Sequence, residues 1–273
     1  MDEFSFRDEL KQKPVNLPRA ALRFAREVAY PQMDLYNYLR RLDHLIHSVR
    51  GILDPDAPYE TQADVVADFL FHQLDFSGNT TDYGDPRNSY LNEVLDRRLG
   101  IPISLSVIFI SVARRLGIPA SGVGLPGHFV VSVQGARKQY LYDPYHGGVR
   151  ISEEDCLELV QSTAGYQGPL RAEWLLPVSE DLILLRMLNN LRLIYIQRED
   201  WEHALAVIER MRLMQPKRLE LLRDLGFVHQ QRGSLSKAVH YYEQYLLRHP
   251  PENDEQAITK ALRSAARQLA RLN

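Results

Sequence analysis

The chain has 273 residues, 45% of them hydrophobic and 25% charged, with a net charge of −2 and a single cysteine. This composition carries enough apolar surface to offset chain entropy and excludes a disordered chain. No apolar run is long enough to span a bilayer, and one cysteine, Cys156, excludes an intramolecular disulfide or a multi-cysteine metal site.

Met1 to Lys11 is polar and lacks the blocks of a secretion leader, so the chain is expected in the cytoplasm. Apolar residues at helical spacing predict helices over 18–30, 34–50 and 59–74, the second capped by Asp34. A loop rich in Gly, Asn, Thr and Asp covers 75–87. A helix over 88–98 follows, with Asn88 or Ser89 as its cap, and Gly100 breaks it. The next helix, 102–116, starts on Pro102, whose ring pre-sets the first turn. Strands are expected over 120–125, 128–134 and 139–142, and the alternation of Phe129, Val131 and Val133 marks a half-buried strand. Ser152 opens a helix through 162, with Asp155 in the capping-box position. Cys156, Leu159 and Val160 share its apolar face, so Cys156 reads as a small hydrophobe, not a nucleophile.

The last third repeats itself at an offset of 34 residues: Leu185, Leu188, Leu191, Arg198, Ala204, Glu209, Leu213 and Pro216 recur as Leu219, Leu222, Leu225, Arg232, Ala238, Glu243, Leu247 and Pro250. Each unit reads helix, turn, helix. Gly233 ends one helix and Ser234 is placed to cap the next. Gly226, Ala238, Tyr242 and Pro250 resemble the small, small, aromatic and proline sites of the tetratricopeptide repeat; Arg192 stands where the first unit should have a small residue. A final helix, 254–272, would cover the open end of the stack. Charge divides at about the same place: residues 1–185 hold 18 Lys and Arg against 25 Asp and Glu (−7), and residues 186–273 hold 15 against 10 (+5). The basic back reads as a solvated helical face. No DNA-reading motif accompanies it, and a nucleic-acid partner is not expected.

The stretch Ala113-Arg114-Arg115-Leu116-Gly117-Ile118-Pro119-Ala120, followed by His128 at a strand and Asp143-Pro144, resembles the transglutaminase-like core related to papain-type enzymes. The resemblance implies a nucleophilic cysteine at a helix N-terminus, a histidine base and an orienting aspartate. Here the cysteine slot falls on Pro102, and the nearest hydroxyls are Ser104 and Ser106. Tyr83-Gly84-Asp85-Pro86-Arg87-Asn88, Leu99-Gly100-Ile101-Pro102-Ile103-Ser104, Leu125-Pro126-Gly127-His128 and Asp143-Pro144-Tyr145-His146-Gly147-Gly148 narrow the likeness to the bacterial SirB-one-type family. That family joins a cysteine-less transglutaminase-like core to tetratricopeptide repeats.

The expected fold class is therefore α+β. A helical N-terminal region and a papain/transglutaminase-like core with a small antiparallel sheet make up residues 1–180 (core about 85–150). An all-α repeat array makes up residues 181–273. Two functions follow. One is a catalytically degenerate, regulatory scaffold that binds a protein or peptide through the repeats and through a cleft bordered by Tyr145 and His146. The other is a serine-dependent hydrolase or acyltransferase with a Ser104, His128, Asp143 triad. No cofactor, metal or membrane is called for.

Overall fold

The computed structural model describes residues 4–271. Leu272, expected in the final helix, lies outside them, as do the first three residues of the Met1–Lys11 stretch. The chain forms two compact units: one runs to Arg26 and from Tyr30 to Met187, the other takes Glu27–Ala29 and the chain from Leu188 onward.

The first unit begins with α1 (Phe6–Lys11), α2 (Leu17–Val28) and α3 (Leu35–Arg50). The Asp34 carboxylate caps α3, accepting from the N–H groups of Tyr36 and Asn37 at 3.0 and 3.2 Å. The helix expected over 59–74 changes pitch halfway: α4 (Tyr59–Ala67) widens into a π-helical turn, Asp68–Gln73, whose extra residue per turn brings Leu70 and Phe71 into the core.

The helix expected over 88–98 is also divided. Pro86–Ser89 forms a 3-10 turn, Tyr90 is extended, and α5 (Leu91–Arg97) starts without a side-chain cap. Neither Asn88 nor Ser89 caps it. The Asn88 side chain is buried, donating to Asp82 O at 2.7 Å and accepting from Asn79 Nδ2 at 3.0 Å and Arg97 at 3.2 Å, and it organises the preceding loop instead. Two short strands, β1 (Ser77–Gly78) and β2 (Leu99–Gly100), pair in parallel and anchor both ends of this region.

At the centre lies α6 (Pro102–Arg115), buried at every position from Pro102 to Ala113. Over that stretch its side chains are apolar except for Ser104, Ser106 and Ser111, as suits a helix enclosed on every side. A five-stranded antiparallel sheet packs on it in the order β6-β5-β4-β3-β7, with β3 (Ala120–Val123), β4 (Val130–Gln134), β5 (Gln139–Asp143), β6 (Val149–Ile151) and β7 (Pro177–Val178). Register places Val131 opposite Tyr142 and Ser132 opposite Leu141. On one face the Phe109 ring of α6 lies 5.5 Å from Tyr142 and 6.3 Å from Phe71. On the other, Val123, Leu125, Val130 and Leu141 pack with Cys156 and Val160 of α7 (Glu153–Ala164). The capping box forms as the sequence indicates: Ser152 Oγ accepts from the Asp155 N–H at 3.1 Å, and Asp155 Oδ2 accepts from the Ser152 N–H at 2.7 Å.

The long α8 (Glu180–Gln197) leads from the first unit into the second, which continues with α9 (Trp201–Met214), α10 (Glu220–Gln231), α11 (Leu235–Leu246) and α12 (Glu252–Ala270). A Cβ on Gly226 would come within 2.5 Å of the Tyr242 ring, which is why α10 needs a glycine where it meets α11. Arg192, large where a small residue was expected, pairs with Asp224. Asp200 caps α9, accepting from the His203 N–H at 3.2 Å. Ser234, one repeat later, makes no side-chain cap bond, contrary to expectation. Ile258 and Ala265 of α12 close the cluster formed by Leu222, Ala238, Tyr242 and Tyr245. Among the described residues, no helix is long and apolar enough to cross a membrane.

Candidate functional site

The loop after β5 holds the chemistry. Asp143 ends the strand, Pro144–His146 make one 3-10 turn, and Gly147 and Gly148 both take left-handed backbone (φ 84° and 69°). A Cβ on Gly148 would also strike the Phe71 ring at 2.2 Å, so the loop packs directly on the π-helical turn. The buried Asp143 uses its two oxygens differently. Oδ1 accepts the N–H groups of Tyr145 at 3.0 Å and His146 at 3.4 Å, holding the turn. Oδ2 faces two imidazoles: His128 Nε2 at 3.0 Å and His146 Nδ1 at 2.7 Å.

His128 arrives from the turn before β4. Its N–H meets Leu125 O at 3.3 Å, and Arg186 of α8 donates to Leu125 O at 2.8 Å and to His128 O at 2.6 Å, fixing the turn from outside. Burial pulls the Arg186 pKa down. The Arg186 guanidinium also stacks 5.4 Å from the centre of the Phe129 ring. His128 and Asp143 are almost wholly buried, whereas the His146 side chain is 54% exposed. Burial opposes ionisation of Asp143, but the hydrogen bonds and charge of His128 and then of His146 outweigh it, and its pKa is lowered.

Tyr145 lies edge-on to its neighbours. Its ring is 5.1 Å from His146, 6.0 Å from His128 and 6.1 Å from Tyr83. Its hydroxyl donates to Asn79 O at 3.4 Å. The ring lies so close to β1 that a Cβ on Gly78 would meet it at 2.5 Å. Tyr83 and Asn79 line this neighbourhood; Tyr83 stands in the Tyr-Gly-Asp-Pro-Arg-Asn stretch that carries the family likeness, whereas Asn79 lies outside it in the loop read only as rich in Gly, Asn, Thr and Asp. Arg186 left no motif signal, because it sits in a helix whose pattern reads only as repeat.

Ser104 stands elsewhere in the hydrogen-bond network. It is buried in the first turn of α6, its Oγ donating to Asn88 O at 2.6 Å and accepting from the Ile101 N–H at 3.1 Å. Both roles tie backbone segments together. Ser106 Oγ is buried without a hydrogen-bond partner among the described residues. Cys156 is fully buried in the apolar cluster beneath the sheet, and burial, then the nearby Asp143 charge, pushes its thiol pKa up to about 12. The structure thus brings His128, Asp143, Tyr145 and His146 together, and gives the Ser104 hydroxyl to Asn88 and Ile101. One ligand-type atom from each of His128, Asp143 and His146 lies within 4.8 Å of the others.

Comparison with known proteins fits this architecture. Residues 36–189 match the Transglutaminase-like superfamily, and residues 191–271 match the Tetratricopeptide repeat. A UPF0162 protein of Xylella fastidiosa is 37% identical over 237 residues, covering 86% of this chain and 84% of that protein. F-box only protein 21 of Homo sapiens is 35% identical over 132 residues, covering 45% of this chain and 20% of its own. Menin, in a crystal structure that reveals its binding site for Mixed Lineage Leukemia (MLL) protein, aligns with a TM-score of 0.43 and 10% identity over 96% of this chain and 68% of its own.

Proposed function

Because this chain belongs to the transglutaminase-like superfamily and, within it, to the UPF0162 proteins of bacteria, we propose that it is a cytoplasmic protein-interaction scaffold whose core holds a peptide without turning it over. The division of labour would follow the expected boundary, residues 1–180 carrying the cleft and residues 181–273 the repeats as a second contact surface. Tetratricopeptide repeats in general mediate contacts between proteins, which supports an interaction role for the second unit.

The observation that carries the non-catalytic part is the state of the Ser104 hydroxyl, with that of the Cys156 thiol beside it. A serine nucleophile needs a base at its hydroxyl and free donors for the oxyanion. Ser104 Oγ instead donates to Asn88 O at 2.6 Å, and Pro102 removes one N–H from the helix terminus. The only thiol in the chain, Cys156, is held neutral in an apolar cluster. The aromatic and imidazole groups of Tyr145 and His146 support binding, since they offer an apolar face and hydrogen-bonding edges beside an exposed rim.

The test pairs a binding assay with a chemical one. A displayed peptide library selected on the full-length protein should enrich sequences whose binding is lost in Tyr145→Ala or His146→Ala and kept in Ser104→Ala. Ester and amide hydrolysis should stay at the buffer rate. A fluorophosphonate probe that labels Ser104, with labelling abolished by His128→Ala, would replace this reading with the serine hydrolase.

A further inference from the structure

A base-and-orienter pair needs one histidine on its aspartate. Here two imidazoles address the same carboxylate oxygen, at 3.0 and 2.7 Å, and their rings stack 5.6 Å apart at 21°. The second imidazole has no task in such a pair. From this convergence we infer that His128 Nε2, His146 Nδ1 and Asp143 Oδ2 form a binding site for a divalent transition-metal ion of the zinc class. The inference goes beyond the scaffold reading and does not depend on it.

The donor set fits that class. Two imidazole nitrogens and one carboxylate oxygen suit a borderline ion such as zinc, whereas calcium and magnesium need more oxygen donors. In the hydrogen-bonded arrangement each ring nitrogen points a proton at Oδ2. For an ion to bind, each imidazole has to carry its one proton on its other ring nitrogen, which frees His128 Nε2 and His146 Nδ1 to join Asp143 Oδ2 around a dication. Metal–ligand bonds of about 2.0–2.2 Å in tetrahedral geometry hold ligand atoms about 3.3 Å apart, so the oxygen has to draw back a few tenths of an ångström from each nitrogen, while the two nitrogens, within 4.8 Å of each other, close on the ion.

The surroundings hold the donors in place. Asp143 Oδ1 is fixed by the N–H groups of Tyr145 and His146, so the carboxylate cannot rotate freely, and Arg186 holds the His128 backbone at 2.6 Å. The Arg186 charge opposes a dication, but its hydrogen bonds to Leu125 O and His128 O engage carbonyl oxygens and leave all three donor atoms to the ion. The His146 side chain, 54% exposed, gives the ion a path from solvent. Three protein donors leave one position for water or for a donor group of a bound molecule.

The test uses the full-length protein, stripped with a chelator and titrated with Zn²⁺ alone and with Co²⁺ alone. One ion per chain and a visible cobalt absorption band are expected. His146→Ala should weaken Zn²⁺ binding by at least about 100-fold, with the fold, read by circular dichroism, unchanged because the residue is exposed. His128→Ala should do the same to the cobalt band. His44→Ala/His47→Ala, which alters the helix histidines of α3, should leave both unchanged. Failure to bind one Zn²⁺ per chain, or binding that survives both His146→Ala and His128→Ala, would overturn the assignment. Either result leaves peptide selection and hydrolysis to decide the scaffold reading separately.

Discussion

The N-terminus of α6, where the transglutaminase-like resemblance would put a nucleophile, and the loop after β5, where it would put the orienting aspartate, are organised in opposite ways. At α6, Ser104 Oγ donates to Asn88 O and accepts from the Ile101 N–H, and Gly100 packs so close that a Cβ there would meet Ser104 Oγ at 2.8 Å. Its donors and acceptors serve to fasten chain to chain. At the loop, Asp143 gathers two imidazoles on one oxygen, and one of them reaches solvent. The difference teaches that a hydroxyl in the right place along the sequence is not a hydroxyl available for chemistry. Availability is decided by which backbone groups lie unpaired nearby.

Substitutions can break this comparison, and the largest effect is expected at Asp143. Asp143→Ala removes the acceptor of two imidazoles and two N–H groups from a buried site, so a loss of roughly 3 kcal/mol is expected in urea unfolding. A loss below about 0.5 kcal/mol would mean the network does little for the fold. Ser104→Ala should cost about 2 kcal/mol, since it strands Asn88 O and Ile101 N–H, and should leave peptide selection unchanged. A stability cost without a functional one is the signature that separates a fastening serine from a nucleophile.

Cys156 sharpens the same point from beneath the sheet. With its pKa raised from 9.0 to about 12, the folded thiol stays protonated while the unfolded one ionises. Its contribution to stability is therefore complete below pH 9.0 and is lost progressively as the pH rises toward 12. Cys156→Ala should flatten that alkaline fall, and iodoacetamide should alkylate the wild-type thiol only after unfolding. A smaller effect is expected at Ser152→Ala, which removes one half of a capping box on α7 and should cost about 1 kcal/mol. At the exposed His146, His146→Ala should change stability by less than about 0.5 kcal/mol while removing peptide binding.

The elements that local chemistry dictates are legible in the sequence itself. The Ser152 and Asp155 capping box, the start of α6 at Pro102 and the left-handed Gly233 depend on neighbouring residues alone. The repeat helices are legible because a 34-residue period marks them twice. Strands β6 and β7 escape because three and two residues carry no alternation. The break of the 59–74 helix into a π-helical turn escapes because it follows from packing Leu70 and Phe71, which the period alone does not show. Asn88 looks like a helix cap by type, but tertiary contacts to Asn79, Asp82 and Arg97 claim its side chain. At the site, chain order suggests His128 and Asp143 as neighbours. The second imidazole could have been found from Asp143-Pro144-Tyr145-His146, because an aspartate that caps its own turn brings the side chain three residues on back to itself.

Strand β7 has a consequence for how the protein can be cut. It adds Pro177 and Val178 to the free side of β3, pairing with Val123 and Gly122, and so makes the sheet's last edge only two residues long. A polypeptide ending before Pro177 would leave the β3 edge bare. Its unpaired N–H and carbonyl groups would be a template for another copy of the chain. Shortened forms stopping in the 165–176 stretch should accumulate as insoluble aggregates, whereas those extending through the first turns of α8 should stay in solution.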